Sequence, residues 1–302
     1  MATNSTATKT EEDMQPNLIA LCVATLVFAT LALSLRFWSN CVTPSYKWWW
    51  DDFFAAITLP FIISETALLL WLIHLGLGRH VATVPPANLA KGPMIIFIIN
   101  LLYYPNISLP KFSVLFFYGR VFQRTSKWLT FALWVVGITN AGWLLTGWTV
   151  TIFRCTPINA TWEAVPESTC VSTWDWFLGS AIPNLLIDIV ILTLPLPILW
   201  GLQATAFRRI MTVIVFIFGY SVIVASIGRV VTFTRAGTDI LDDITWTPIE
   251  YLEWVQTEGL LSLVSICLPS IIRLCGHLCR SSRKTSISDG QEPSKMVVFE
   301  HC

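Results

Sequence analysis

Long apolar runs alternate with short polar segments along the whole chain. Seven runs have about 20 residues or more, the length an α-helix needs to cross about 30 Å of hydrocarbon. They lie near residues 17–38, 52–75, 94–118, 128–150, 174–199, 210–233 and 251–274. The pattern therefore predicts an all-α fold: a polytopic membrane protein built as a seven-transmembrane helix bundle.

Five of these spans carry polar residues at the spacing of one helix face, because positions four, eight and eleven apart share a face. The residues on these faces are Glu65 in the second span, Asn100, Tyr104, Ser108 and Lys111 in the third, Ser180, Asn184 and Asp188 in the fifth, Ser226 and Arg229 in the sixth, and Trp254, Glu258, Ser262 and Ser265 in the seventh. Charges inside spans are costly and usually face the bundle interior. We therefore expect the five faces to converge.

Depth in the membrane follows from about 1.5 Å of rise per residue. Counting in this way places Asp188 near the middle and Lys111 in the inner half, with Arg229 and Glu258 both in the outer half. The predicted buried ion pairs are therefore Lys111 with Asp188 and Arg229 with Glu258. Glu65 lies near the middle and has no cationic residue at its depth. Because burial favours the uncharged form of a carboxyl group, the prediction for Glu65 is a protonated side chain.

Two interpretations of these polar faces stay open. In one, ion pairs and polar side chains only fix the register of the helices. In the other, they line a polar pocket in the outer half of the bundle, and its walls are Glu65, Tyr104, Arg229, Trp254 and Glu258. The pocket interpretation gives three candidate catalytic residues, Glu65, Asp188 and Glu258. Its candidate ligand-binding residues are Tyr104, Lys111, Asn184, Arg229 and Trp254.

Composition supports a membrane protein and limits the chemistry. The 302 residues are 54% hydrophobic and 13% charged, against about a quarter charged in a soluble domain. The 19 basic and 19 acidic residues balance without a basic block, so nucleic acid is not an expected partner. The four histidines show no metal-ligand spacing and no cofactor motif is present, so we expect no metal and no cofactor. The expected partners are membrane lipid and a small apolar molecule.

The distribution of Lys and Arg predicts the orientation. With the N-terminus outside, the inner segments hold twelve of these residues and the outer segments five, which favours N-out and C-in. We expect residues 1–16 to form an extracytoplasmic tail, 17–275 the membrane domain and 276–302 a disordered cytoplasmic tail. No soluble domain is expected on either side, and the choice between plasma membrane and endomembrane stays open.

The outer segments hold the candidate modification sites. Asn4 and Asn159 begin glycosylation acceptor patterns. Cys155 and Cys170 bracket one outer loop, where a disulfide is chemically allowed; two free thiols are the alternative.

Two acidic pairs fall on opposite sides of the membrane in this topology, so they cannot share a metal ion. We interpret "DILDD", which ends at Asp243, as a solvated loop. We interpret "WWWDD", which ends at Asp52, as a helix start, where carboxylates suit the helix dipole.

An ordered set of motifs carries a family resemblance. The motifs are "LRFWSN", "WWWDDFF", "GLGRH", "LPKFSVLFFYGRVF", "CTPINATW", "IPNLLIDIVILTLPLPILWGL", "FGYSVIVASIGRVV" and "TEGLLSLVSICLPSIIRL". Together they resemble the fungal rhodopsin-domain integral membrane proteins, which include the satratoxin-cluster type and the seven-span part of Pth11-like receptors. The resemblance assigns family positions to Asp52, Lys111, Asp188, Arg229, Glu258 and Pro269. Leu260 departs from it, since a polar residue often stands there.

Three functions stay open, of which the resemblance implies the first two. The first is a membrane protein of a fungal secondary-metabolite pathway that binds or acts on an apolar intermediate, with acid-initiated cyclisation as the chemistry if it is an enzyme. The second is a receptor for a small apolar ligand, and the third a transporter. A G protein is disfavoured as a partner, because the inner loops are short and "YGR" (Tyr118–Arg120) stands where rhodopsin-class receptors carry DRY. Whether the chain is an enzyme stays open.

Overall fold

Seven long helices make up most of the computed structural model, which describes residues 13–42, 48–122, 127–163, 165–197, 206–237, 243 and 245–288. The helices are α1 (Gln15–Val42), α2 (Trp50–Leu75), α3 (Gly92–Phe122), α4 (Lys127–Ile152), α5 (Thr173–Thr193), α6 (Ala206–Ala236) and α7 (Ile249–Ser288). All seven are long and apolar enough to cross a membrane. The predicted spans are confirmed, and the chain is a multi-pass integral membrane protein.

The helices form a ring in chain order, because each packs against the next and α7 closes the ring against α1. In addition, α7 contacts α2 and α3, and α3 contacts α5. These contacts bring the polar faces of α3, α5, α6 and α7 together in the interior. The opposite faces are apolar and exposed, as at Trp128, Phe131 and Trp134 of α4, which suits contact with lipid.

A short hairpin marks one end of the bundle. Strands β1 (Cys155–Thr156) and β2 (Thr169–Cys170) pair antiparallel, with Cys155 directly opposite Cys170. The two cysteines form a disulfide. We call this end of the bundle the disulfide end and the other the Arg36 end. The N-out orientation stays a prediction, in which the disulfide end is the outer one.

At the Arg36 end, a buried ion cluster joins four helices. Nη2 of Arg36 on α1 lies 2.9 Å from both Asp51 Oδ2 and Asp52 Oδ1 on α2, and Nη1 donates to the carbonyl of Ile266 on α7. Arg120 on α3 reaches Asp51 at 3.5 Å. The "WWWDD" carboxylates do lie in the first turn of α2. They also neutralise a buried arginine, which the interpretation as a helix start does not include.

At the disulfide end, Asp243 corrects the prediction of a solvated "DILDD" loop. Its carboxylate lies 2.6 Å from Nδ1 of His80 and accepts the Val81 amide at 3.0 Å. The ring of Trp246 stacks on His80 at 4.3 Å between centroids. Burial alone raises the pKa of Asp243, but the hydrogen bonds from His80, Val81 and Thr245 outweigh it, so the pKa lies below its ordinary value. Asp239 and Asp242 lie outside the described residues.

Candidate functional site

Lys111 and Asp188 form the ion pair predicted for them. Nζ of Lys111 on α3 lies 2.8 Å from Oδ1 of Asp188 on α5. It also donates to Oδ1 and to the carbonyl oxygen of Asn184, at 2.6 and 3.2 Å. Asn184 lies one turn before Asp188 and faces the same way. An ammonium group has three protons to donate, and here three acceptors surround it.

Asn184 and Ser226 connect this pair to the next. Nδ2 of Asn184 donates to Oε1 of Glu258 at 2.8 Å. The hydroxyl of Ser226 lies 2.7 Å from the same oxygen and 3.3 Å from Oδ2 of Asp188. All of these side chains are buried. The network therefore ties α3, α5, α6 and α7 together through polar contacts in the bundle interior.

Arg229 and Glu258 form the second predicted pair. Nε of Arg229 lies 3.0 Å from Oε2 of Glu258, and both side chains are at most 1% exposed. The N–H does not point at the oxygen, so neither atom makes a hydrogen bond in the described part of the chain. The guanidinium also contacts the Tyr251 hydroxyl and lies over the Tyr103 ring, 5.0 Å from its centroid.

Glu65 on α2 stands apart from both pairs. Oε2 accepts a hydrogen bond from Nδ2 of Asn106 at 2.5 Å, and the described residues include no cation in an ion pair with it. Oε1 of Glu65 and Oδ1 of Asn106 have no partner within the described structure. A carboxyl group without a counter-ion, 1% exposed, is most stable in its neutral form. A neutral Glu65 would have a proton to donate.

Tyr104 and Trp254 both pack over glycines. The Tyr104 ring covers Gly147 so closely that a side chain there would collide with it, and its hydroxyl receives a hydrogen bond from Thr151 at 3.3 Å. Trp254 lies over Gly228, where an added Cβ would meet the indole at 2.6 Å. Trp254 is therefore next to Arg229, whereas Tyr104 is held by α4.

A cavity of about 80 Å³ borders the network between α3, α5, α6 and α7. Its polar walls are Lys111, Asp188, Ser262 and Ser265. It has room for several water molecules and is smaller than a typical ligand pocket of about 300 Å³ or more. Its lining also includes Tyr118, so it lies toward the Arg36 end. This differs from the pocket predicted in the outer half, because Glu65, Arg229 and Glu258 do not line this cavity.

The candidate glycosylation residue Asn159 lies at the disulfide end. Asn159 is exposed in the turn Ile158–Thr161 and its side chain reaches Glu163 at 3.4 Å. Asn4 lies outside the described residues. In the described part of the chain, no three His, Cys, Asp or Glu side chains are grouped as metal ligands.

The sequence did not predict two residues of the site. They are Tyr103, beside Arg229, and Asn106, which binds Glu65. They are three positions apart on α3 and share a face next to the one that carries Tyr104 and Lys111. The i, i+3 spacing was the available signal, but a tyrosine and an asparagine are less conspicuous in an apolar span than a charge.

Comparison with known proteins gives a consistent result. The model of the fungal rhodopsin domain matches residues 35–277. The chain is similar to "Polyenoic acids biosynthesis gene cluster protein Ba17b" of Metarhizium anisopliae, with 27% identity over 255 residues that cover 79% of this chain and 68% of that protein. It is also similar to a "SAT4 family membrane protein" of Emericella nidulans, with 26% identity over 237 residues, 78% of this chain and 56% of that protein. No solved structure matches.

Proposed function

The chain belongs to the fungal rhodopsin domain family, and on that premise we propose that it serves a fungal secondary-metabolite pathway. In this proposal the bundle interior holds or converts an apolar intermediate that reaches it through the membrane. Support comes from the relative named for a polyenoic acids biosynthesis gene cluster. The matched regions cover 68% and 56% of the lengths of the two relatives.

The observation that carries the proposal is the isolated carboxyl group of Glu65. Asn106 fixes one of its oxygens at 2.5 Å and leaves the other without a partner among the described residues. An acid catalyst needs a proton that it keeps until substrate arrives and a fixed orientation. Asp188 meets this need less well, because the Lys111 ammonium stabilises its ionised form.

The proposed chemistry is an acid-initiated cyclisation or rearrangement. The Glu65 carboxyl donates its proton to a carbon–carbon double bond, which forms a C–H bond and leaves a carbocation beside a carboxylate. Bond formation within the chain moves the cation. Loss of a proton from the cyclised cation back to the carboxylate restores both the acid and a double bond. The sequence is an isomerisation, so it requires no oxidant or reductant.

The test replaces Glu65 with Gln, which keeps the size and hydrogen bonding of the side chain but removes the acidic proton. The variant is expressed in a host that carries the whole pathway, and metabolites are compared by mass spectrometry. We expect the product to be lost and the precursor to accumulate while thermal stability is retained. Glu253→Gln, a change to a half-buried carboxyl on α7, is the matched control and should leave the product unchanged.

Two outcomes would contradict the catalytic form of the proposal. Normal product from Glu65→Gln would mean that this carboxyl supplies no proton. An unchanged metabolite profile with an altered transcriptional response to an added ligand would instead support the receptor function.

A further inference from the structure

The two buried ion pairs of the network differ in how completely their polar atoms are satisfied. The Lys111 ammonium has three acceptors, and its partner Asp188 also contacts Ser226. The Arg229 guanidinium contacts Glu258 and Tyr251, yet its Nη2 has no hydrogen-bond partner among the residues that the structure describes. The ammonium group of the first pair therefore has an acceptor for each of its protons, whereas the guanidinium group of the second pair has a donor without an acceptor among the described residues.

The polar atoms without a hydrogen-bond partner around Arg229 lie close together. Oε2 of Glu258 and the hydroxyl of Tyr103 also lack hydrogen-bond partners within the described ranges. Glu258 Oε2 lies 3.0 Å from Arg229 Nε, and the Tyr103 ring centroid lies 5.0 Å from the guanidinium carbon. All three side chains are at least nine-tenths buried. A buried polar group without a hydrogen-bond partner is unfavourable, so three together indicate a position for a polar group from outside the chain.

We propose that Arg229, Tyr103 and Glu258 bind one uncharged carboxyl group at the end of an apolar chain. This inference rests on the proposed function and names the class of its substrate: a long-chain, unsaturated carboxylic acid. Nη2 of Arg229 and the Tyr103 hydroxyl donate to the carbonyl oxygen of the acid. Oε2 of Glu258 accepts the hydrogen bond from its O–H group. One acceptor and one donor on the ligand thus satisfy all three protein groups.

Charge balance selects the uncharged form of that acid. Glu258 already neutralises Arg229, so an ionised carboxylate would add a negative charge to a buried site without a counter-ion, which is strongly unfavourable. The aromatic side chains near Arg229 favour an apolar chain for the rest of the ligand. Phe177 lies 5.9 Å from the guanidinium carbon and stacks on Phe233, with the ring centroids 3.6 Å apart. A polar metabolite would lose its hydration against these rings.

The first experiment uses the unaltered full chain in lipid nanodiscs. The probe is cis-parinaric acid, a conjugated tetraenoic acid whose fluorescence is excited by energy transfer from protein tryptophans. Its methyl ester keeps the carbonyl oxygen and loses the O–H group, and the corresponding hydrocarbon loses both. We expect saturable energy transfer with affinity in the order acid, ester, hydrocarbon. A loss of one buried hydrogen bond corresponds to about a three- to tenfold weaker affinity.

The second experiment removes one protein group at a time. Tyr103→Phe keeps the ring over Arg229 and removes the hydroxyl, so the affinity for the acid should fall about three- to tenfold. Tyr220→Phe is the matched control, because Tyr220 is exposed on the lipid face of α6. It should bind the acid as the unaltered chain does. If Tyr103→Phe does not fold, the ligand series on the unaltered chain still decides the question.

The outcomes separate this inference from the proposed function. Saturable binding of equal strength for acid, ester and hydrocarbon would overturn carboxyl recognition and leave an apolar ligand in the bundle. Equal affinity in Tyr103→Phe and Tyr220→Phe would exclude Tyr103 from the site. Energy transfer that rises without saturation for all three compounds would reflect dissolution in lipid and would overturn both proposals.

Discussion

The ammonium group of Lys111 on α3 lies 2.8 Å from the carboxylate of Asp188 on α5, deep inside a bundle whose outer faces are apolar. Each group is the counter-ion of the other. Lys111 also donates to the side-chain oxygen of Asn184, and Asp188 also accepts from the hydroxyl of Ser226. Such a pair need not add stability relative to an apolar pair, but either charge alone would be strongly unfavourable.

For this pair we predict a non-additive double-mutant cycle. Lys111→Met and Asp188→Asn should each lower the free energy of unfolding by about 3–5 kcal/mol, because each leaves a buried charge without a partner. The double variant should recover much of that loss. Thermal unfolding in detergent measures all three. Damage in the double variant equal to the sum of the singles would show that the residues do not interact.

A second prediction concerns the cluster at the Arg36 end. Arg36→Gln should lower the melting temperature markedly, because the buried carboxylates of Asp51 and Asp52 lose the cation that lies 2.9 Å from both. Arg79→Gln is the control: Arg79 forms an exposed pair with Asp13 at 3.6 Å, and exposed pairs contribute little. Similar melting temperatures for the two variants would argue against a structural role for the cluster.

The His80–Asp243 contact gives a prediction about pH. The pKa of Asp243 is lower in the folded state than its ordinary value of about 3.9. Its stabilising contribution is therefore complete above that ordinary value and disappears as pH falls through the lower, folded-state pKa. Asp243→Asn should reduce stability at neutral pH and show a smaller further loss below about pH 4. Stability is measured by unfolding at a series of pH values. The same dependence of stability on pH in the variant and in the unaltered chain would contradict this prediction.

A fourth prediction addresses orientation. If the disulfide end faces outward, Asn159 should become glycosylated, since it is exposed in its turn, and a reporter fused after Cys302 should be active in the cytosol. Glycosidase treatment and the reporter are independent measurements. Mass mapping without reductant should join Cys155 to Cys170. A cytosolic disulfide end would place these thiols in a reducing compartment and reverse the predicted orientation.

The sequence predicted the two central ion pairs because a regular helix converts residue number into depth. Lys111 and Asp188 lie on different helices, yet counting about 1.5 Å per residue from the span ends places Asp188 near the middle and Lys111 in the adjoining inner half. The same rule paired Arg229 with Glu258. The seven spans could also be predicted from the sequence, since the bilayer sets their length and apolar character.

Other features depend on which helices and loops are neighbours, and the depth of a residue in the membrane does not predict this. Arg36 was counted among inner segment charges, but α1, α2 and α7 enclose it because of how these helices neighbour one another. His80 and Asp243 belong to separate loops that only the closed ring brings together. The difference between a complete and an incomplete ion pair depends on side-chain orientation, as at Arg229, which no sequence pattern encodes.

The length of α7 has a mechanical consequence. It has 40 residues, of which 28 belong to the membrane span, so it continues roughly 18 Å past the span at the Arg36 end. Glu258 near one end and the Ile266 carbonyl further along are both bound by arginines of other helices. A shift of Glu258 would therefore be carried along one continuous rod to a surface on the far side of the membrane. Pro269, inside that rod, is the position where a bend would concentrate.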